Sequence, residues 1–202
     1  MGRSENSRNR IFVKDNDTVK TVPFDETKAE DPSLIIYNAL RVVAFGDTVY
    51  HIVSNGDQTD TIADYLSIGD VFENAVSSRE FEPDAPNYTS RISGLLTNKG
   101  SEAFMGICRR DPSTGEAKYD TFTQDLQANG MGACIHTYES DGNPLPAFMG
   151  GPRISPLDKD VESTAHMYWD ALDNENRIAV VVKSIDVQTG DTDFYIINRL
   201  ES

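Results

Sequence analysis

Apolar and polar positions along the 202-residue chain fall into short strand-like runs, interrupted by a few stretches with helical spacing. RIFV (10–13) is the first strand-like run, and DNDT (15–18) follows it as a turn cluster. Residues 34–45, LIIYNALRVVAF, are dense in β-branched and aromatic types. The pair Gly46–Asp47 then predicts a two-residue type II′ hairpin that returns as TVYHIVS (48–54). Two helical stretches come next. In TIADYLSIG, Ile62, Ala63 and Leu66 share a face, with Thr59 or Asp60 as the expected cap. In GDVFENAVSSREF, Asp70 and Glu73 have capping-box spacing ahead of the stripe Val71, Phe72, Ala75 and Val76.

Strand-like runs resume at 90–97, 101–110, 117–123 and 132–138, separated by the turn-forming TNKG, DPSTGE and QANGMG. Residues 140–156, rich in Pro and Gly, read as a long irregular loop. A third helix is expected to bury Val161, Ala165, Tyr168 or Trp169, and Leu172. RIAVVVKSIDV and DTDFYIINRL form a closing hairpin around QTGD. Many strands with a central helical pair and one late helix exclude a regular βαβ alternation and fit an α+β class. Without repeats or linkers, the chain is expected to be one domain, 1–202.

Charge changes the picture. The formal net charge of −15 argues against nucleic-acid and anionic-membrane partners. Against that background residues 1–14 are locally basic, with Arg3, Arg8, Arg10 and Lys14, which suits either a solvated tail or capture of a small anion. Two cysteines, Cys108 and Cys134, in apolar runs suggest buried, reduced thiols. MGRSENSRNR has no apolar core of a leader, and no window approaches a membrane span, so a soluble cytoplasmic protein is expected.

Common chemical signatures are missing. The three histidines have no metal-ligand spacing, and Asp57-x-Thr59 breaks the pattern of a calcium loop. There is no phosphate-binding glycine loop and no G-x-S-x-G nucleophile elbow. No cofactor and no metal are expected. Four polar stretches remain, each entering or leaving an apolar strand. Arg10 opens IFV and can present a planar fork of donors. Tyr37 and Asn38 follow two isoleucines, although a tyrosine there could equally be core with a wet hydroxyl. SNGDQTDTIADYL (54–66) carries more short polar side chains than a turn and a cap require. In REFEPDAPNYTSRI (79–92), Glu80, Glu82 and Asp84 crowd between Arg79 and Arg91; repulsion could raise one carboxyl into a useful acid–base range, or the run could be a solvated loop.

GRSENSRNR (2–10), DPSLIIYNALRVV (31–43), SNGDQTDTIAD (54–64), REFEPDAPNYTSRISG (79–94), GSEAF (100–104) and HTYESDGNPLPAF (136–148), in that order, resemble the archaeal-type inosine monophosphate (IMP) cyclohydrolases and their bacterial relatives. The resemblance implies a four-layer αββα fold like that of N-terminal-nucleophile hydrolases, without the terminal nucleophile, since Gly2 follows Met1. It implies dehydrative ring closure of formamido-imidazole-carboxamide ribotide to IMP, a purine-ribotide ligand and self-association. Carried onto matching positions, it suggests Arg10, Tyr37 and Glu82 as the catalytic group. Asn38, Asn55, Asp57 and Asp60 are then expected to bind base or ribose, and Arg91 the phosphate, with the jobs of Arg10 and Arg91 exchangeable. The family's further N-terminal strand pair is expected to be missing ahead of GRSENSRNR. The competing expectation is a non-catalytic purine-ribotide-binding protein on the same fold.

Overall fold

The computed structural model of the chain describes residues 2, 4–28, 36–126 and 130–201. Arg3, the expected strand start at 34 and 35, and the first half of the QANGMG turn (127–129) lie outside the described residues. The class is α+β, built on one seven-stranded antiparallel sheet. A short helix α1 (Glu5–Arg8) leads into β1 (Arg10–Asp15) and β2 (Thr18–Pro23); β3 (Asn38–Phe45) and β4 (Thr48–Ser54) follow. After helices α2 (Gln58–Ser67) and α3 (Phe72–Ser77) come β5 (Arg91–Thr97), β6 (Glu102–Arg110) and β7 (Ala117–Asp125). The strands lie in chain order from β1 to β7, so the helical pair is an excursion that leaves β4 and β5 as neighbours.

The β3–β4 turn is as its sequence predicts. Phe45 pairs with Thr48 around Gly46–Asp47, and Gly46 alone of the two takes a positive φ, 57°, as a type II′ turn requires. Strand β2 lies outside the runs expected from the pattern, although TVKTVP alternates, burying Val19 and Thr21. Both expected caps are different in the structure. Helix α2 starts at Gln58, before Thr59 and Asp60, and the Asp70 carboxylate accepts from Val71 N–H and Asn74 rather than joining Glu73 in a capping box.

Helices α2 and α3 cover one face of the sheet. Ile62, Ala63 and Leu66 with Phe72, Ala75 and Val76 pack on Ile52 and Leu95 to form the main core. The other face is met by the hairpin β10 (Ala179–Ile185) and β11 (Thr192–Asn198). Lys183 of that hairpin pairs with Asp17 at 3.7 Å, and Lys14 lies 4.3 Å from the centroid of Phe194. Outside the hairpin, α4 (Val161–Ala171) sets Ala165 and Trp169 on Val180, Val182 and Ile197. Trp169, not Tyr168, takes the apolar position; the Tyr168 hydroxyl donates to Pro156 O at 2.8 Å. Asp160 caps α4 by accepting from Ser163 N–H at 2.7 Å.

The expected irregular loop contains a strand. β9 (Arg153–Pro156) pairs with β8 (Met131–Cys134), while residues 135–138, expected to continue the latter strand, lie beyond its end. Cys108 and Cys134 are both free thiols; Cys108 is buried, but Cys134 only half so. Burial pushes the Cys108 thiol up to about 11. No helix among the described residues is long and apolar enough to cross a membrane.

Candidate functional site

One end of the sheet gathers the polar stretches. The starts of β1, β3 and β5 and the end of β4 all lie there, as the antiparallel meander dictates. The turn after β4 is compact because its own hydroxyls close it. The Ser54 and Thr59 hydroxyls lie 2.8 and 3.1 Å from Gly56 O and share a hydrogen bond at 2.5 Å, so one donates to the other and the other to the carbonyl. Asn55 binds this turn to β5: its Nδ2 donates to Ser90 O, and its Oδ1 accepts from Ile92 N–H and Gln58 Nε2, each at 2.9 Å. The same Nδ2 reaches Thr137 Oγ1 at 3.4 Å.

Asp57 faces outward from that turn and joins two cations. Its oxygens accept from Arg91 Nη1 and Arg79 Nη2, both at 2.6 Å. Burial alone would raise Asp57, but Arg79 and Arg91 outweigh it and hold the carboxyl below its ordinary range. Arg91 also donates to Gln58 Oε1 and Glu80 O, at 2.8 Å each, and lies 3.6 Å from Glu82 Oε1. Gly56 permits this crowding. A Cβ there would lie 2.6 Å from Gln58 Oε1, 2.8 Å from Arg91 Nη1 and 3.1 Å from Glu82 Oε1.

Glu82 is largely enclosed, its side chain 22% exposed. Burial pushes its carboxyl above the ordinary value; Arg91 opposes this, Asp84 and Asp57 reinforce it, and Arg10 opposes it. Tyr37 stands in the same field. Burial raises its phenol, the charge of Arg10 opposes, Glu82 raises it further, and a hydrogen bond with Arg10 lowers it. Arg10 is itself steadied by donation from Nε to Ser7 O at 3.2 Å. The groups at 10, 37 and 82 therefore sense one another, although they come from three separate segments. Beside them Asp60 Oδ1 accepts from Asn38 Nδ2 at 2.9 Å and Arg41 Nη1 at 2.8 Å.

All eight residues singled out from the sequence thus lie at this end of the sheet, in two linked groups around Glu82 and Asp60. Gln58, Arg41, Arg79 and Asp84 belong to the same network and were not singled out as site residues. Arg79 and Asp84 sit within the charge-rich 79–92 segment, so that signal was visible; Arg41 and Gln58 carried none, being ordinary polar positions in a strand and a helix. Among the described residues no three His, Cys, Asp or Glu side chains gather as the ligands of a metal would.

Comparison with known proteins gives this arrangement its context. Residues 1–191 match the family described as IMP cyclohydrolase-like protein. The chain belongs to the IMP cyclohydrolase-like family. The IMP cyclohydrolase of Natronomonas pharaonis is 31% identical over 163 residues, covering 76% of this chain and 75% of that protein. IMP cyclohydrolases from two strains of Methanococcus maripaludis are 34% and 35% identical over 98 and 103 residues. Those two alignments cover 46% and 48% of this chain, and 45% and 48% of the respective relatives.

Proposed function

We infer that this chain is an IMP cyclohydrolase, closing the second purine ring in formamido-imidazole-carboxamide ribotide with loss of water. The observation that carries this reading is the family match across residues 1–191. Both reacting groups belong to one molecule. The chemistry is positioning plus proton transfer, worth up to roughly 7–11 kcal/mol and about 10²–10⁴ in rate respectively in favourable cases.

The convergence of Arg10, Tyr37 and Glu82 supports their assignment as the catalytic group. Glu82 takes a proton from the carboxamide nitrogen as that nitrogen bonds to the formyl carbon. Tyr37 gives a proton to the formyl oxygen, which becomes the hydroxyl of the tetrahedral intermediate. Arg10 polarises that oxygen and steadies the charge on the phenol as it gives up its proton. Protonation of the new hydroxyl and loss of the formamido nitrogen's proton expel water and form the C=N bond to that nitrogen, which restores the conjugated ring. A raised Glu82 is the stronger base, which suits a weakly acidic amide. Arg79 and Arg91, bridged by Asp57, supply positive charge for the ribotide phosphate, while Asn38 and Asp60 meet base or ribose. Asn55, with its amide engaged in the chain, shapes the wall of the site.

The packing of α2 and α3, the large sheet, the hairpin β10–β11 and α4 in succession supports reading the fold as a four-layer αββα sandwich of the N-terminal-nucleophile-hydrolase type. The free thiols suit a reducing cytoplasm, and the family resemblance supports self-association into a homo-oligomer. Incubating the purified chain with the formyl ribotide and following IMP by absorbance tests the activity. Product formation at a rate proportional to enzyme is expected; IMP binding without turnover would instead make the chain a ribotide-binding protein.

A further inference from the structure

The segment HTYESDGNPLPAF (136–148) takes no part in the chemistry just described, yet it is tied firmly to the loop that carries Glu82. It is a closed unit in its own right. Phe148 N–H donates to Thr137 O at 3.1 Å, Glu139 N–H to Pro146 O at 2.9 Å, and Tyr138 and Ala147 form a β-bridge. Phe148 anchors it, fully buried, with the His136 ring centroid 4.0 Å from its own. A rigid base of this kind can hold an outward-facing side chain in place.

Three contacts cross from this unit to the site. Thr137 Oγ1 accepts from Asn55 at 3.4 Å, Leu145 N–H donates to Asn87 Oδ1 at 3.1 Å, and the Tyr138 hydroxyl meets Thr89 Oγ1 at 2.6 Å. The direction of the last follows from proton counting. Thr89 has one hydroxyl proton, and it goes to Asp84 Oδ2 at 2.5 Å; Asp84 Oδ1 meanwhile accepts from Thr89 N–H at 2.7 Å. Tyr138 must then be the donor to Thr89. The chain of donation runs from Tyr138 through Thr89 to Asp84, each bond polarising the next. Thr89 O accepts from Glu82 N–H at 2.9 Å, so the same residue that clasps Asp84 also fixes the backbone of Glu82.

We propose that Tyr138 is a positioning residue for Glu82: its donated hydroxyl locks the Thr89–Asp84 clasp that closes the 82–89 loop and keeps Glu82 enclosed. The proposal rests on the reading of Glu82 as the proton acceptor. Glu82 faces Arg91, Asp84, Asp57, Arg10 and Tyr37, so the enclosure and spacing of all five set its proton affinity. Loosening the clasp admits water and relaxes the burial that raises the carboxyl, making Glu82 a weaker base.

The test is the pH dependence of kcat for Tyr138→Phe, Thr89→Val and Thr89→Ser, with IMP affinity as the check on folding. Expected for Tyr138→Phe and Thr89→Val are a kcat lower by about tenfold, as slight misplacement of a reacting group produces, and an acid limb displaced to lower pH. IMP affinity stays at the wild-type value, and Thr89→Ser, which keeps the hydroxyl, restores both kcat and limb. Glu82→Gln is run alongside. If it loses turnover while Tyr138→Phe superimposes on wild type, or while Thr89→Ser behaves as Thr89→Val does, the positioning role is wrong and the Glu82 role stands. Wild-type turnover in Glu82→Gln removes both.

Discussion

Asp57 holds Arg91 at 2.6 Å, and in doing so keeps that guanidinium from pairing fully with Glu82, which lies 3.6 Å from the same nitrogen. One carboxylate thus competes with another for a single cation. The winner is the more exposed of the two, Asp57, which also engages Arg79. Glu82 is left with only part of the positive charge that would otherwise lower its proton affinity.

Asp57→Asn should therefore act on Glu82 as well as on phosphate binding. Removal of the Asp57 charge takes away one influence that raises Glu82 and frees Arg91 to approach it; both changes lower the Glu82 carboxyl. The acid limb of kcat should move to lower pH and kcat should fall. Because Asp57 is about half exposed, the stability cost should be small, about 0–1 kcal/mol. Paired pH–rate and thermal-melting measurements check this.

Gly56→Ala places a methyl group against Gln58, Arg91 and Glu82 together. These neighbours can move only by leaving the positions proposed for catalysis. Turnover should fall by roughly a hundredfold, since displacement by about 1 Å can cost that much. The melting temperature should change little, because the displaced atoms are side-chain ends. A large loss of stability with unchanged kcat in the folded fraction would contradict the proposed layout.

His51 offers a separate prediction about stability. Burial brings its imidazole down to about 4, with Lys183 pushing the same way and Asp17 opposing. A histidine depressed in the folded state takes up its proton in the unfolded chain first. Its contribution is present above about pH 6.5 and is lost as pH falls from there towards about 4. Melting temperature should thus fall more steeply over this window in wild type than in His51→Gln. Equal slopes in the two proteins would contradict the burial argument.

The sequence made the apolar architecture of the fold readable to different degrees. The β3–β4 hairpin followed from Gly46–Asp47 because a two-residue turn is decided by local backbone sterics. The faces of α2 and α3 followed from spacing for a similar reason, except that Val71, expected in the α3 stripe, precedes the helix as its N-cap and is exposed. β9 did not follow, because Arg153–Pro156 finds its partner at Met131–Cys134, across a Pro- and Gly-rich stretch whose composition signals a loop. The site was legible through its density of short polar side chains, but not through its wiring. Nothing in SNGDQTD says that Asp57 will bridge arginines 22 and 34 positions later, or that Asn55 will be consumed in tying β4 to β5. Those pairings depend on β5 returning beside β4 after the helical excursion, which is a property of the whole sheet.

The central claim is that Tyr37 and Glu82, from distant segments, act on one substrate as a unit. The most direct measurement is kcat for Tyr37→Phe, Glu82→Gln and the double variant, with IMP affinity of each determined in parallel. Residues serving the same transition state lose rate non-additively. The double variant should turn over at close to the rate of the slower single variant, with all three binding IMP as wild type does. Losses in log kcat that simply add, or a wild-type rate in either single variant, would contradict the account.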